Sequence, residues 1–212
     1  MKLLLTSGGI ANQPIADELI RLTGKPAEET KVAFVPTAAF VEAGEKSWFV
    51  GQFTSLAKFG FGQVDIVEPS LPHTEWRQRL ADSDVIFVSG GNTYFLLDQS
   101  RQNGFAKWLQ SELGERVYVG SSAGSILVTP TIATATNGSQ NIVGIEDVSG
   151  VGLVDFEFLP HVPDSISLSA AEAYASNATR DFYALDDQSA LSVEDGEVKI
   201  VGTGQVHTFP RD

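Results

Sequence analysis

The sequence predicts a three-layer α/β sandwich on a mainly parallel sheet, and three observations carry that expectation. Short apolar runs recur through the first two-thirds of the chain, at residues 3–5, 31–35, 63–67, 84–88 and 117–119. Those at 3–5, 32–35, 85–88 and 117–119 are continuously apolar rather than alternating, as strands covered on both faces require. Stretches with helical spacing separate them, so each strand is followed by a crossover, and the right-handed crossover rule lays helices on both faces of the sheet. The third observation is size: 212 residues, 42% apolar and 19% charged, suit one domain over 1–212 that buries about 70% of its unfolded surface.

The elements follow in order. Strand 3–5 leads into the amphipathic stretch 14–23, and strand 31–35 ends at Pro36 before a helical run over 45–58. Strand 63–67 precedes helix 74–81, and strand 84–88 precedes helices at 93–99 and 105–113. Strand 117–119 runs into a helix that starts near Ala123. After Thr129-Pro130 the texture changes: residues 131–136, 143–145 and 191–201 read as short strands, the last folded into a hairpin at Asp195-Gly196. A helix is expected at 167–175, and the apolar run 156–160 ends as a strand at His161. No internal repeat, low-complexity tract or linker interrupts the chain.

Composition narrows the function classes. The chain has no cysteine, which excludes disulfides, thiolate zinc sites and a thiol nucleophile. A formal net charge of −13 argues against nucleic acid as a partner, because phosphate affinity comes largely from Lys and Arg. No apolar run approaches the roughly 20 residues of a membrane span. The opening Met1-Lys2-Leu3-Leu4-Leu5-Thr6 is too short for a targeting signal and reads as the first buried strand, so a cytoplasmic protein is expected.

In open parallel sheets, ligands bind beyond the carboxyl ends of the strands. The loops nominated are Ser7-Gly8-Gly9, Pro36-Thr37-Ala38, Ser89-Gly90-Gly91-Asn92 and Ser121-Ser122. The last belongs to Gly120-Ser121-Ser122-Ala123-Gly124, a Gly-x-Ser-x-Gly at a strand-to-helix junction. That pattern reads as a nucleophile elbow: two glycines permit the sharp turn, and the central Ser122 hydroxyl stands above the sheet. The free N–H groups of the following helix favour negative charge at the same point. The glycines of Ser89-Gly90-Gly91-Asn92-Thr93 allow close backbone approach, so the Gly91 N–H can face a developing oxyanion with the Ala123 N–H as its partner. The structural alternative is a plain turn with Thr93 capping the next helix.

A serine hydroxyl needs a base, and the chain has three histidines. His73 lies in a polar loop, and His207 could occupy a terminal strand. His161 closes a strand and opens a proline-rich loop, where a base would be held. A carboxylate should then orient the imidazole. The α/β-hydrolase order of serine, acid, histidine would require His207 with Asp155, Asp164 or Asp187. The other order runs Ser122, His161, then Asp186 or Asp187. An esterase using His207 and a catalytically silent binding domain are therefore the competing expectations. No metal or cofactor motif is present.

Together, residues 87–93, 119–125, 152–161 and 185–190 resemble the dipeptidase E (aspartyl dipeptidase) family of serine peptidases, related to cyanophycinases. The resemblance implies a class I glutamine amidotransferase-like (flavodoxin-like) fold with serine in place of cysteine. It implies Ser122 as nucleophile, His161 as base and Asp187 as acid, with Gly91 and Ala123 forming the oxyanion hole and Gly90 and Asn92 beside the substrate. A short peptide is the substrate implied, and a monomer or homodimer is expected. One departure stands out. Aspartyl dipeptidases carry a Gly-Glu-Thr-Arg-like segment after the histidine, whereas this chain has Ser165-Ile166-Ser167-Leu168-Ser169-Ala170-Ala171 and no basic residue before Arg180. Arg180 is the substitute available from the next loop for holding a substrate carboxylate.

Overall fold

A computed structural model of the chain describes residues 1–211. Its centre is a seven-stranded sheet in the order β3-β2-β4-β5-β1-β8-β9. Strands β1 (Lys2–Thr6), β2 (Lys31–Val35), β3 (Gln63–Ile66), β4 (Val85–Val88) and β5 (Val117–Ser121) run parallel. Strands β8 (Ser189–Glu194) and β9 (Glu197–Gly202) add an antiparallel hairpin beside β1. Its turn residues Asp195 and Gly196 have φ of 51° and 89°, the left-handed pair that a tight hairpin requires.

Side chains alternate across the parallel strands and feed two cores. Leu4, Phe34, Phe87 and Val119 pack with α1 (Gln13–Thr23) and α2 (Ser47–Lys58) on one face. Leu3, Leu5, Val35, Ile86 and Tyr118 pack on the other face with α3 (Trp76–Ala81), α4 (Thr93–Gln102), α5 (Phe105–Glu112) and α6 (Ala123–Leu127). These are the three layers that the uniformly apolar strands imply. A second sheet, β10-β7-β6, joins β6 (Glu157–Leu159), β7 (Phe182–Leu185) and β10 (Val206–Phe209), with α7 (Leu168–Ala175) packed against it. Phe158 and Leu185 of this sheet enter the same core as Leu3 and Tyr118.

Two expected strands do not form. Residues 131–136 instead hold a 3-10 helix, Ala133–Asn137, leaving Thr131 in a single bridge to Ser149, and residues 143–145 make no ladder. Local side-chain bonds replace the ladder: Thr131 Oγ1 accepts the Ala133 N–H at 3.2 Å, and Asn141 Oδ1 accepts the Ile145 N–H at 3.2 Å. Such bonds offer the backbone an alternative to a sheet. Among the described residues, no helix is long and apolar enough to cross a membrane.

Candidate active site

The carboxyl ends of β1, β2, β4 and β5 meet at one edge, as the nominated loops require. Ser122 turns the chain between β5 and α6 with φ 49° and ψ −107°, a left-handed backbone that costs on the order of 1–3 kcal/mol in a non-glycine residue. The surroundings hold it there. The Ser122 N–H donates to the Thr6 carbonyl at 3.0 Å, the Ser125 hydroxyl donates to the same carbonyl at 2.8 Å, and the buried Tyr118 hydroxyl donates to the Gly124 carbonyl at 2.6 Å. Both elbow glycines are dictated by space. A Cβ on Gly120 would stand 2.6 Å from the Ser125 nitrogen, and one on Gly124 would collide with the Val88 carbonyl.

A row of polar side chains runs from this turn. Ser122 Oγ lies 2.9 Å from His161 Nε2, and His161 Nδ1 lies 2.6 Å from Asp187 Oδ1. His161 follows β6 with φ 64°, and its carbonyl accepts the N–H groups of Ser165 and Ile166 at 2.9 Å each. Burial pushes the Asp187 carboxyl up, but the bond and charge of His161 and the bond from Ser7 outweigh it and hold the carboxyl below its ordinary value. The neighbouring Asp186 faces away. Its oxygens accept the Gln188 N–H at 3.0 Å, the Ser189 hydroxyl at 2.7 Å and the Gln205 N–H at 2.7 Å, and this holds the turn into β8.

The Gly90-Gly91 turn lies beside the serine. A Cβ on Gly90 would sit 3.3 Å from the Ser122 Cβ, and Gly91, at φ 131°, passes so close to the Ala38 carbonyl that a Cβ would collide with it. Among the described residues no protein acceptor takes the N–H of Gly91 or of Ala123. The structure does not bring every nominated residue into the cavity. The Asn92 side chain, rather than Thr93, caps α4 by accepting the Phe95 N–H at 3.0 Å, and it donates to the Gln140 carbonyl at 3.0 Å. Both ends of that amide are thus committed, and Asn92 does not line the cavity. Arg180 pairs with Asp155 at 2.9 Å before β6 and β7 begin, whereas His161 lies past the end of β6. Five residues of chain lie between Asp155 and His161, and an extended strand covers about 3.3 Å per residue. His207 sits in β10 opposite Ala184, outside the cavity, and His73 is exposed.

Two residues escaped the motif reading. The buried Ser7 hydroxyl donates to Asp187 Oδ1 at 2.6 Å and accepts the His161 N–H at 2.8 Å, bracing the row from below. Its only signal was its place after β1. Gln52, buried on α2, donates through Nε2 to Ser121 Oγ at 3.0 Å, and nothing local marks it. The row opens into a cavity of about 800 Å³ bounded by α2, the two glycine turns, the 3-10 helix and the 160–166 loop. That volume lies within the roughly 300–1,000 Å³ usual for small-ligand sites. Among the described residues no cluster suited to a metal ion is present.

Fold and cavity together define a class, the serine-type hydrolases built on a class I glutamine amidotransferase-like sheet. The model of peptidase family S51 matches residues 3–201. An uncharacterized peptidase of Listeria monocytogenes is 30% identical over 183 residues, covering 79% of this chain and 83% of its own. Peptidase E of a Nostoc species is 24% identical, covering 84% of this chain and 75% of its own. The solved structure of a putative peptidase E protein from Listeria monocytogenes EGD-e superposes with a TM-score of 0.83 at 24% identity, covering 96% of this chain and 98% of its own; that likeness establishes the fold. The chain belongs to peptidase family S51.

Proposed function

We propose that the protein is a serine peptidase that hydrolyses short peptides through an acyl-enzyme. The observation that carries this reading is the row Ser122–His161–Asp187, with steps of 2.9 and 2.6 Å, set at a strained elbow. His161 Nε2 takes the Ser122 proton as Oγ attacks the peptide carbonyl, and the imidazolium returns that proton to the leaving amine. Water then enters and its oxygen attacks the acyl carbon as His161 takes its proton; the imidazolium returns that proton to Ser122 Oγ as the acyl–oxygen bond breaks, which releases the acid and restores the hydroxyl. Asp187, held ionised, keeps Nδ1 protonated and steadies the imidazolium. The unused N–H groups of Gly91 and Ala123 receive the oxyanion, and one such donor is worth about 2.7–4 kcal/mol in the transition state.

Strict preference for an N-terminal aspartate does not fit this cavity. Among the described residues no arginine lines it, and a carboxylate is held best by a charge-assisted bidentate fork. The esterase reading loses its base, since His207 lies outside the cavity. A monomer or homodimer in the cytoplasm, with residues 1–212 as one peptidase domain, completes the proposal; the core shared by both sheets supports the single domain.

Ser122→Ala is expected to abolish hydrolysis of a peptide panel and labelling by a fluorophosphonate while leaving Tm unchanged within about 2 °C, whereas His207→Ala keeps both activities. Undiminished turnover in Ser122→Ala would falsify the assignment.

A further inference from the structure

The carboxyl edge of the large sheet is tied together strand by strand, in the order β3, β2, β4, β5. Past the end of β3, Glu68 is buried, and past the end of β2, the buried Thr37 opens a 3-10 turn, Thr37–Ala39. The Thr37 hydroxyl lies 2.9 Å from both oxygens of the Glu68 carboxyl, and the Ser70 N–H donates to Oε1 of that carboxyl at 2.9 Å. The next residue, Ala38, presents its carbonyl to the loop past β4. That carbonyl accepts the Asn92 N–H at 2.9 Å, and Gly91 passes it with no room for a Cβ. Gly90 in turn packs on the elbow past β5, where a Cβ on it would stand 3.3 Å from the Ser122 Cβ.

This chain of contacts sets the direction of the Gly91 N–H. Gly91 has φ 131°, a backbone that glycine adopts freely, and it brings no side chain to hold itself there. Its neighbours must fix it. The Ala38 carbonyl holds the Gly91–Asn92 peptide, and the Asn92 side chain caps α4 just beyond. Ala38 itself sits in a turn of three residues, closed by the Ala39 N–H on the Pro36 carbonyl at 2.8 Å and a long Phe40 N–H on the Thr37 carbonyl at 3.4 Å. The Thr37–Glu68 contact is the side-chain anchor of that turn. Among the described residues no cation pairs with Glu68. Burying a carboxyl without a cation costs stability, so what the contact adds is direction: a hydroxyl bonded to a carboxyl fixes the turn where an apolar contact would let it slide.

Resting on the peptidase reading above, with Gly91 as an oxyanion donor, we propose that Thr37 and Glu68 are positioning residues for acyl transfer. They hold the Ala38 carbonyl, the carbonyl holds the Gly91 turn, and the Gly91 N–H is thereby aimed at the oxygen that gains charge as Ser122 attacks. Neither side chain is among the residues that line the cavity, so both act on the transition state without touching the substrate. A donor turned off its line forfeits part of the roughly 10²–10³ in kcat that a whole oxyanion donor supplies.

The test follows a fluorophosphonate, whose phosphoryl oxygen takes the oxyanion position as Ser122 Oγ displaces fluoride from phosphorus, together with the peptides that the wild-type protein hydrolyses. Thr37→Val keeps the side-chain shape and removes the hydroxyl. It is expected to slow phosphonylation about five- to thirtyfold and to lower kcat by the same factor, with KM within about twofold and the final labelling stoichiometry unchanged. Thr37→Ser, which restores the hydroxyl, is expected to recover both rates. The double variant Thr37→Val/Glu68→Leu replaces the pair by apolar groups and is expected to regain Tm over Thr37→Val while reacting no faster, because the two residues act as a unit. An unchanged phosphonylation rate in Thr37→Val, a loss that falls on KM rather than kcat, or a rate that recovers with Tm in the double variant would overturn the positioning role. Failure of the fluorophosphonate to label the wild-type protein would overturn the nucleophile reading as well, whereas labelling at an equal rate in wild type and Thr37→Val would overturn the positioning role alone.

Discussion

Replacing Ser7 by alanine removes a hydroxyl whose hydrogen-bonding capacity is spent on the row behind Ser122. Its proton goes to Asp187 Oδ1 at 2.6 Å, one lone pair accepts the His161 N–H at 2.8 Å, and His161 Nδ1 stands 3.3 Å away. A bond to an ionised acceptor contributes about 1.5–3 kcal/mol, and a buried N–H left without a partner costs about 1–3 kcal/mol. Asp187 is 41% exposed, so water replaces part of the first bond, and the net loss is about 3 kcal/mol. For a domain of this size that is a fall in Tm of roughly 6–12 °C. The imidazole also loses the brace that holds its left-handed backbone, and a loss of about 1.4–2.8 kcal/mol in the transition state corresponds to a tenfold to hundredfold lower kcat. Since Ser7 acts through His161 and Asp187, KM should stay within about twofold while kcat falls. Steady-state kinetics on a hydrolysed peptide with parallel thermal denaturation measures both. An unchanged kcat, or kcat and KM moving together, would refute the positioning role.

The aspartate pair offers a second separation. Asp187→Asn is expected to lower kcat by about 10³–10⁴, because the amide no longer steadies the imidazolium. Asp186→Asn should spare kcat and lower stability by about 1–2 kcal/mol, through weaker acceptors for the turn amides; equal kinetic damage from both changes would contradict the geometry. Acid stability tests the packing of α1 against β8. Bonds from Arg21, then Ser192 and Lys199, outweigh burial and hold Glu18 at about 2 against an ordinary 4.5. A depressed carboxyl contributes stability fully above its unfolded value and loses it as pH falls through the folded one. The window is therefore pH 4.5 down to 2, and screening at the exposed partners leaves about 1–2 kcal/mol. Tm measured from pH 6 to 2 should fall less steeply in Glu18→Gln across that window; parallel curves would remove Glu18 as the cause.

Much of the architecture was legible because it is written in local pattern. Strands 31–35 and 84–88 are apolar at every central position, and such runs tolerate only a doubly covered sheet. The hairpin at Asp195-Gly196 and the elbow at 120–124 are encoded by glycines, whose backbone freedom and absent Cβ the turns need. The stretch 131–145 misled for a related reason: its β-branched residues suggest strands, yet Thr131 and Asn141 satisfy nearby amides with their own side chains. Strand β7 was not anticipated, since four residues carry no period of their own. Asn92 was nominated beside the substrate, but a side chain at the start of α4 has a stronger local use as a cap.

By itself the sequence determined the layered sheet, the sharp serine turn at its edge and the absence of any thiol chemistry, because each depends on residue type and spacing along a few positions. The resemblance implies Asp187, and the tertiary structure supplies the physical reason that it, rather than Asp186, meets His161. Residue type does not separate Asp186 from Asp187; in the turn before β8 the Gln188 and Gln205 amides and the Ser189 hydroxyl claim the first and leave the second for the imidazole. The tertiary structure also decided that Ser7 braces the row and that Arg180 lies at the end of β6 remote from His161. Those are contacts between residues far apart in the chain, and only the packed sheet brings them to one edge.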